Sequence, residues 1–451
     1  MKKINLDCLM LIFDKLQKDR NSLHSCLLVN KKWCKIIIPI LWKKHAWNLQ
    51  LTIESVKKLS NILLSFLPSS SKKLLSDHGI ELPSTILLYK FPLLFNYISF
   101  CNFPRQINVN NIIHMVLGEN NNYQSKSNLL EQEIYKLFVS ECKSTRILIW
   151  MTCQPITLFP GASICFLQLY KLCVYVDIVN SNALHEMARI CKNLNKLYID
   201  SVSDCPNNNW GGVISLIDAQ KHLKVLEIIV KVDKKIGKEV SKALKRTGNT
   251  IERFWLNSVE ISTFQFLTSL INIKELTINN WEDYKTEEIM EFRKYLAISE
   301  FPKLQYLRII GPVSCLKEIS LFIEKTGGNV STVIIITDKA LENTGMLIKA
   351  IADNCPKITC LNTYIEPKDF IHIKSLLLNC RHLKLLRLIN SSKKSDVNVN
   401  DNLGDELLDI LASFSPKSLS DIIISSFWKY SSEAHDRFLT KRYHTQLTFM
   451  Q

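Results

Sequence analysis

Histidine, cysteine and serine are the residues from which this chain could build a catalytic or metal site, and their spacing builds none. The 451 residues include ten histidines and fourteen cysteines. No two cysteines form a Cys-x-x-Cys pair. There is also no Gly-x-Ser-x-Gly, no His-Glu-x-x-His and no glycine-rich phosphate loop ending in Gly-Lys-Ser/Thr. Cys355, Cys360, Cys380 and His382 come nearest to a ligand set, but their spacing matches no common zinc module. The sequence therefore predicts a non-enzyme, with no catalytic residue, no metal and no cofactor. Packing explains Cys142, Cys191, Cys355 and Cys380 instead. Each stands three residues before the first position of a recurring motif, where a small buried side chain suits a tight corner. The cationic run Lys234, Lys235, Lys238, Lys242, Lys245 and Arg246 could meet phosphates, but no aromatic residues interleave with it. It reads as a solvated helix face, so no nucleic-acid partner is expected.

What remains is recognition, and an internal repeat would position it. The pattern apolar-x-x-apolar-x-apolar recurs at Leu194/Leu197/Ile199, Leu223/Leu226/Ile228, Ile251/Phe254/Leu256, Ile273/Leu276/Ile278 and Leu304/Leu307/Ile309. It continues at Val330/Val333/Ile335, Ile358/Leu361/Thr363, Leu383/Leu386/Leu388 and Leu419/Ile422/Ile424, with weaker copies at Leu169/Leu172/Val174 and around Leu148. The middle positions step by 22 to 36 residues and average about 27, inside the leucine-rich-repeat range. Segments of helical period lie between them, such as Ala183-Leu184-x-x-Met187-Ala188 and Leu407-Leu408-x-x-Leu411-Ala412. One strand plus one helix cannot bury its own apolar face. The units must therefore stack into an α/β solenoid, with parallel strands on one side and helices on the other. Strand residues between the apolar ones face out of the core. These are Tyr198, Glu227, Trp255, Thr277, Arg308, Asn362 and Arg387, the expected contacts to a protein substrate; an aromatic among arginines has the composition of an interface hot spot.

Hydrophobic residues make up 47% and charged residues 22%, with only 12 glycines and 13 prolines, a composition that can bury a core along most of the chain. The longest uncharged stretch, Ile147 to Tyr170, contains Gln154, Pro155, Pro160 and Gly161, so no membrane span is expected. Asp7 and Asp14 interrupt the apolar run that an export signal needs. The cysteines then read as reduced thiols of a cytoplasmic or nuclear protein. Asn/Ser/Lys-rich joins fall at Pro68 to Lys73, at Gly118 to Asn128, and at Asn390 to Asn402, the last a loop insertion within the longest repeat step. This divides the chain into 1–47, a helical linker with degenerate early repeats over 48–128 (Ile86 to Phe103 a candidate pair), and the solenoid over 129–451.

Residues 1–50 are different. They hold ten Lys/Arg and three Asp/Glu, so +7 of the net +15 lies in about a ninth of the chain. Helices are expected over Ile4 to Gln17, Ser22 to Val29 and Lys31 to Lys44, with Pro39 bending or interrupting the third. On the first helix Cys8, Ile12, Leu16, Leu9, Phe13, Leu6 and Met10 span about 200°, wider than one core contact requires. Either a partner or the downstream array must cover the excess.

The stretch INLDCLMLIFDKLQKDRNSLHSCLLVNKKWCKIIIPILWKKHAW resembles the F-box, the three-helix module that docks onto the Skp-type adaptor of cullin-based SCF ubiquitin ligases. Leu9, Ile12, Phe13 and Leu16 match its first helix; Leu23, Leu27 and Val29 match the second; Trp33 and Leu41-Trp42 match the third. The family's opening Leu-Pro-x-Glu is here Ile4-Asn5-Leu6-Asp7, without the proline. The remainder resembles the cysteine-containing leucine-rich repeats that often follow an F-box. The resemblance implies adaptor binding through Ile4, Asn5, Leu6, Leu9, Ile12, Phe13, Leu16, Leu27, Val29 and Trp33. The adaptor of that family is acidic, which suits the basic N-terminal segment. Through it the chain would join a cullin scaffold and hold a substrate on the solenoid, acting by proximity. The alternative is a leucine-rich-repeat scaffold outside any ligase.

Overall fold

The computed structural model describes residues 5–450 apart from 48–51, 84–93, 119–122, 203–208, 233, 260–262, 280–285, 312–314, 338–341, 391–402, 426–427 and 443. The chain forms two compact units, Met1–Leu194 with Asn207–Gln220, and Asn195–Pro206 with Lys221–Gln451.

The first unit begins with three helices whose starts are set by side-chain caps. Helix α1 (Leu6–Lys15) begins after Asn5, whose Oδ1 accepts from the Asp7 amide, and ends in a short 3-10 turn over Leu16–Lys18. Helix α2 (Arg20–Leu27) is capped by Asp19, which accepts from the amide of Ser22 at 3.1 Å and from its hydroxyl at 2.6 Å. Those bonds hold the Asp19 carboxyl below its ordinary range. Helix α3 (Lys31–His45) is capped by Asn30, which accepts from the Trp33 amide at 2.9 Å. The three close on a core of Leu9, Phe13, Leu23, Ile37 and Leu41, with Trp33 edge-on to Phe13 at 5.1 Å. Of the two expected effects of Pro39, interruption does not occur: α3 runs through it. The lost hydrogen bond and ring clash cost about 3 kcal/mol, offset by burial of Ile37, Ile38 and Leu41 on either side.

The segment expected to combine a helical linker with degenerate repeats holds the helices α4 (Ile53–Ser65), α5 (Ser69–Asp77), α6 (Gln106–Leu117) and the start of α7 (Tyr123–Glu141). No strand occurs among the described residues before Ile147. The buried positions explain this difference: Val109, Ile112 and Ile113 follow the i, i+3, i+4 spacing of a helix and not the alternation of a strand. The expected join at Pro68 to Lys73 is mostly α5. Part of the Gly118 to Asn128 join, part of the Ile86 to Phe103 segment and most of the Asn390 to Asn402 insertion lie outside the described residues. An aromatic seam fastens α3 to this helical segment, Trp42 on Tyr97 at 4.5 Å and Trp47 on Phe138 at 5.8 Å. Strands β1 (Ile147–Trp150) and β2 (Lys171–Tyr175) then pair in parallel, Leu148 opposite Leu172.

The second unit has ten parallel strands, each paired with its neighbours in sequence: β3 (Lys196–Asp200), β4 (Val225–Val232), β5 (Arg253–Val259), β6 (Glu275–Asn279), β7 (Tyr306–Ile310), β8 (Thr332–Ile336), β9 (Cys360–Ile365), β10 (Leu385–Asn390), β11 (Asp421–Ser425) and β12 (Gln446–Met450). The middle residues of the sequence motif fall in one register row: Leu197, Leu226, Phe254, Leu276, Leu307, Val333, Leu361, Leu386 and Ile422. All nine are buried, each contributing about 1.5–3 kcal/mol of apolar transfer. Leu447 of β12 extends the row by a strand that the motif missed.

The predicted cysteine corners are present as well. Cys142, Cys191, Cys355 and Cys380 follow directly on the helices ending at Glu141, Ile190, Asn354 and Asn379, and all four are buried. The Cys191 thiol donates to the Phe166 carbonyl at 3.1 Å, and Cys380 to that of Cys355 at 3.6 Å. Burial pushes the thiols of Cys191, Cys355 and Cys380 up to about 12, so they stay neutral. The fold is an α/β solenoid of the leucine-rich-repeat type behind N-terminal helices. Among the described residues no helix is long and apolar enough to cross a membrane.

Candidate functional site

Two surfaces carry the recognition chemistry expected from the sequence. The first lies on α1 and the end of α2. Folding divides the broad apolar face of α1 into an inner and an outer part. Leu9 at 3% and Phe13 at 0% exposure belong to the module's own core, and Leu16, Leu27 and Trp33 pack half-buried against it. Leu9 and Phe13 are thus corrected from contact residues to supporting ones, because a partner cannot reach them without opening the module. Asn5, Leu6, Ile12 and Val29 are exposed, and Ile4 lies outside the described residues. Sequence reasoning named Leu6, Ile12 and Val29 among the exposed apolar side chains and did not name Met10, Leu11 and Leu28 as contacts. Leu28 is 88% exposed, Leu11 68% and Met10 50%. For Leu28 the available signal was position: it follows the last residue of α2, as does Val29, which the resemblance did name.

The second surface is the open face of the second unit's sheet. Tyr198, Glu227, Trp255, Thr277 and Arg308 stand in one register row, which continues through Ile334, Asn362, Arg387, Ile423 and Thr448. Tyr198, Glu227, Thr277, Arg308 and Arg387 are half-buried and Trp255 is exposed. Asn362 is the correction, at 6% exposure. Strand β9 is buried on both faces, where the Tyr364 hydroxyl accepts from the Thr337 amide at 2.9 Å and donates to the Thr337 carbonyl. Ile334 and Ile423 hold the same row and were passed over because they are apolar. In the adjacent row Arg253 donates to Glu275 at 2.6 Å, which raises the guanidinium further above its ordinary value.

Among the described residues no cluster of three or more His, Cys, Asp or Glu could hold a metal. Cys355 and Cys380 are spent on corners, while Cys360 is half-buried in β9 and His382 is exposed. The lysines of the helix Lys234–Thr247 point to solvent, opposite its buried Val240, Ala243 and Leu244.

No family model matches the chain, and no curated protein matches it. Among solved structures it is similar to the yeast Rad7 and Elc1 complex, at 14% identity and a TM-score of 0.40, covering 99% of this chain and 98% of that one. It is also similar to the internalin InlF of Listeria monocytogenes, at 9% identity and a TM-score of 0.37, covering 70% and 84%. A third is the leucine-rich-repeat-containing protein LegL7 of Legionella pneumophila, at 14% identity and a TM-score of 0.33, covering 69% and 95%.

Proposed function

We propose that this chain is a substrate receptor of an SCF-type ubiquitin ligase, docking a Skp-type adaptor through α1 and α2 and capturing a protein on the solenoid. One observation carries the reading. A helical module with a closed core of its own leaves Leu6, Met10, Leu11 and Ile12 exposed on α1 and Leu28 and Val29 exposed at the end of α2, the elements that resemble an F-box. On α1 Leu6 and Met10 are i, i+4 neighbours, and exposed apolar side chains grouped in this way mark an interaction surface. The adaptor links the chain to a cullin scaffold, and the row from Tyr198 to Arg308 supplies the substrate contacts. The receptor acts by raising the local concentration of substrate lysines near a charged enzyme, so it requires no catalytic residue.

Co-expression of the full chain with a Skp-type adaptor, followed by size exclusion in moderate and high salt, tests the reading. A one-to-one complex that survives high salt, as an apolar interface should, supports it. A chain that elutes alone and monomeric in both buffers rejects it in favour of a scaffold outside the ligase.

A further inference from the structure

Within the first unit a cleft of about 1240 Å³ opens between the C-terminal end of α3 and the first strand. Its described lining carries five permanently cationic side chains, Lys43, Lys44, Arg105, Lys143 and Arg146, and no carboxylate. All five are exposed, and none is ion-paired with a described residue. Glu141, the acid nearest in sequence to Lys143, is engaged by the Asn96 amide at 2.6 Å. His45 also lines the cleft, and its Nε2 donates to the Gln17 carbonyl at 3.1 Å. These cations come from three parts of the chain, yet the cleft is held by specific contacts. The Trp47 indole donates to the Asn102 carbonyl at 2.7 Å, and the Asn102 amide returns a bond to the Lys43 carbonyl at 2.7 Å. Like charges gathered in a concavity focus a positive potential that only an anion relieves.

The rest of the lining narrows the class of anion. Trp47 and Phe100 are half-buried in the wall, Ile147 and Tyr170 are exposed in it, and Arg146 lies over the Tyr170 ring at 5.9 Å. Aromatic rings beside arginine form the anchor-binding composition of protein interfaces. An inorganic polyanion could use the charges but not the rings. The volume also exceeds the roughly 300–1,000 Å³ of a drug-sized pocket. We propose that this cleft binds an acidic peptide segment, in which an aromatic or aliphatic side chain seats against Trp47, Ile147 and Tyr170 while flanking carboxylates or phosphates meet Lys43, Lys44, Arg105, Lys143 and Arg146. As a statement of which substrate is captured, this rests on the receptor reading; as a statement of binding it does not. The cleft also reassigns part of the N-terminal charge: Lys43 and Lys44 serve this site, whereas the adaptor surface on α1 and α2 is apolar.

The test uses the full chain without adaptor, so its result is separate from that of the adaptor reading. Fluorescence anisotropy follows a fluorescein-labelled Glu-Glu-Glu-Phe-Glu-Glu-Glu peptide and its phosphoserine counterpart. Controls replace Phe by Ser or every Glu by Gln, and inorganic tripolyphosphate and oligo-dT serve as competitors. Saturable binding is expected that weakens between about 0.05 and about 0.5 M salt, as the Debye length falls from about 14 to about 4 Å. Arg146→Glu and Lys143→Glu should each weaken it about three- to tenfold, with unchanged circular dichroism because both residues are exposed. Comparison of the two labelled peptides shows whether carboxylate or phosphate is preferred. Absence of saturable binding, or binding that neither reversal weakens, overturns the proposal. So does equal affinity for the Phe-to-Ser peptide, or complete displacement by tripolyphosphate or oligo-dT at equimolar concentration; either outcome would make the cleft a general polyanion site.

Discussion

Truncating Leu28 to alanine separates docking from folding, because this side chain contributes almost nothing to the module that carries it. It is 88% exposed, so nearly all of its transfer free energy is available to a partner. Leu→Ala removes three carbons. At about 0.8 kcal/mol per buried methylene-sized group, that corresponds to about 2 kcal/mol of lost affinity, roughly a thirtyfold rise in the adaptor Kd. Stability should change by no more than about 0.5 kcal/mol, as for other exposed positions. Phe13→Ala is the opposite case. Phe13 is fully buried and packs edge-on to Trp33, so truncation should cost about 3–5 kcal/mol of folding free energy. A module of about 45 residues has little margin for that loss, so Phe13→Ala should weaken adaptor binding by unfolding α1 to α3. Calorimetric titration of each full-length variant with adaptor, alongside thermal melts by circular dichroism, reads both quantities. The reasoning is refuted if Leu28→Ala binds within twofold of the parent chain, or if Phe13→Ala leaves the melt unchanged.

Three further outcomes follow from the packing. Leu276→Ala, in the buried register row, should cost about 2–5 kcal/mol in urea unfolding, whereas Thr277→Ala on the open face should cost about 0.5 kcal/mol or less; equal effects would remove the assignment of faces. Deleting 403–451 removes β11 and β12 and bares the edge of β10, so light scattering should detect aggregates; a soluble monomer would show that β10 needs no cover. Burial holds the thiols of Cys101, Cys191, Cys315, Cys355 and Cys380 up at about 12, leaving roughly one thiolate in ten thousand at pH 8. A thiol reagent at pH 8 should therefore modify exposed Cys8 first and reach these five only on unfolding; fast native modification contradicts their burial. Because their folded-state values are raised, the stability held by the neutral thiols is complete below the ordinary thiol range and is lost as pH climbs through about 12.

The solenoid was legible because its signal is local and repeated. Period-two alternation on each strand and a step of about 27 residues suffice to place nine side chains of the second unit in a single register row. Leu447 escaped because His444 occupies the first motif position of its strand, where an apolar residue would have marked it. Asn362 was misplaced for the converse reason: alternation assigns a face but not whether neighbouring elements cover it. On α1 the wheel detected too many apolar residues without separating Phe13, which faces Trp33, from Leu11, which faces solvent. That partition depends on where α2 and α3 cross. The basic cleft was the least legible feature, since Lys43 and Arg146 are about a hundred residues apart and line one cleft through contacts that the sequence does not show, among them the bonds of Trp47 and Lys43 with Asn102 and of Cys142 with the Cys101 carbonyl.

Amide hydrogen exchange of the full chain, with and without saturating Skp-type adaptor, tests most directly where the adaptor docks. The account predicts slowed exchange over α1 and α2, residues 6–27, and through Leu28 and Val29, with strands β3 to β12 unchanged. Unaltered exchange across residues 6–29, or protection confined to the strands, would contradict it.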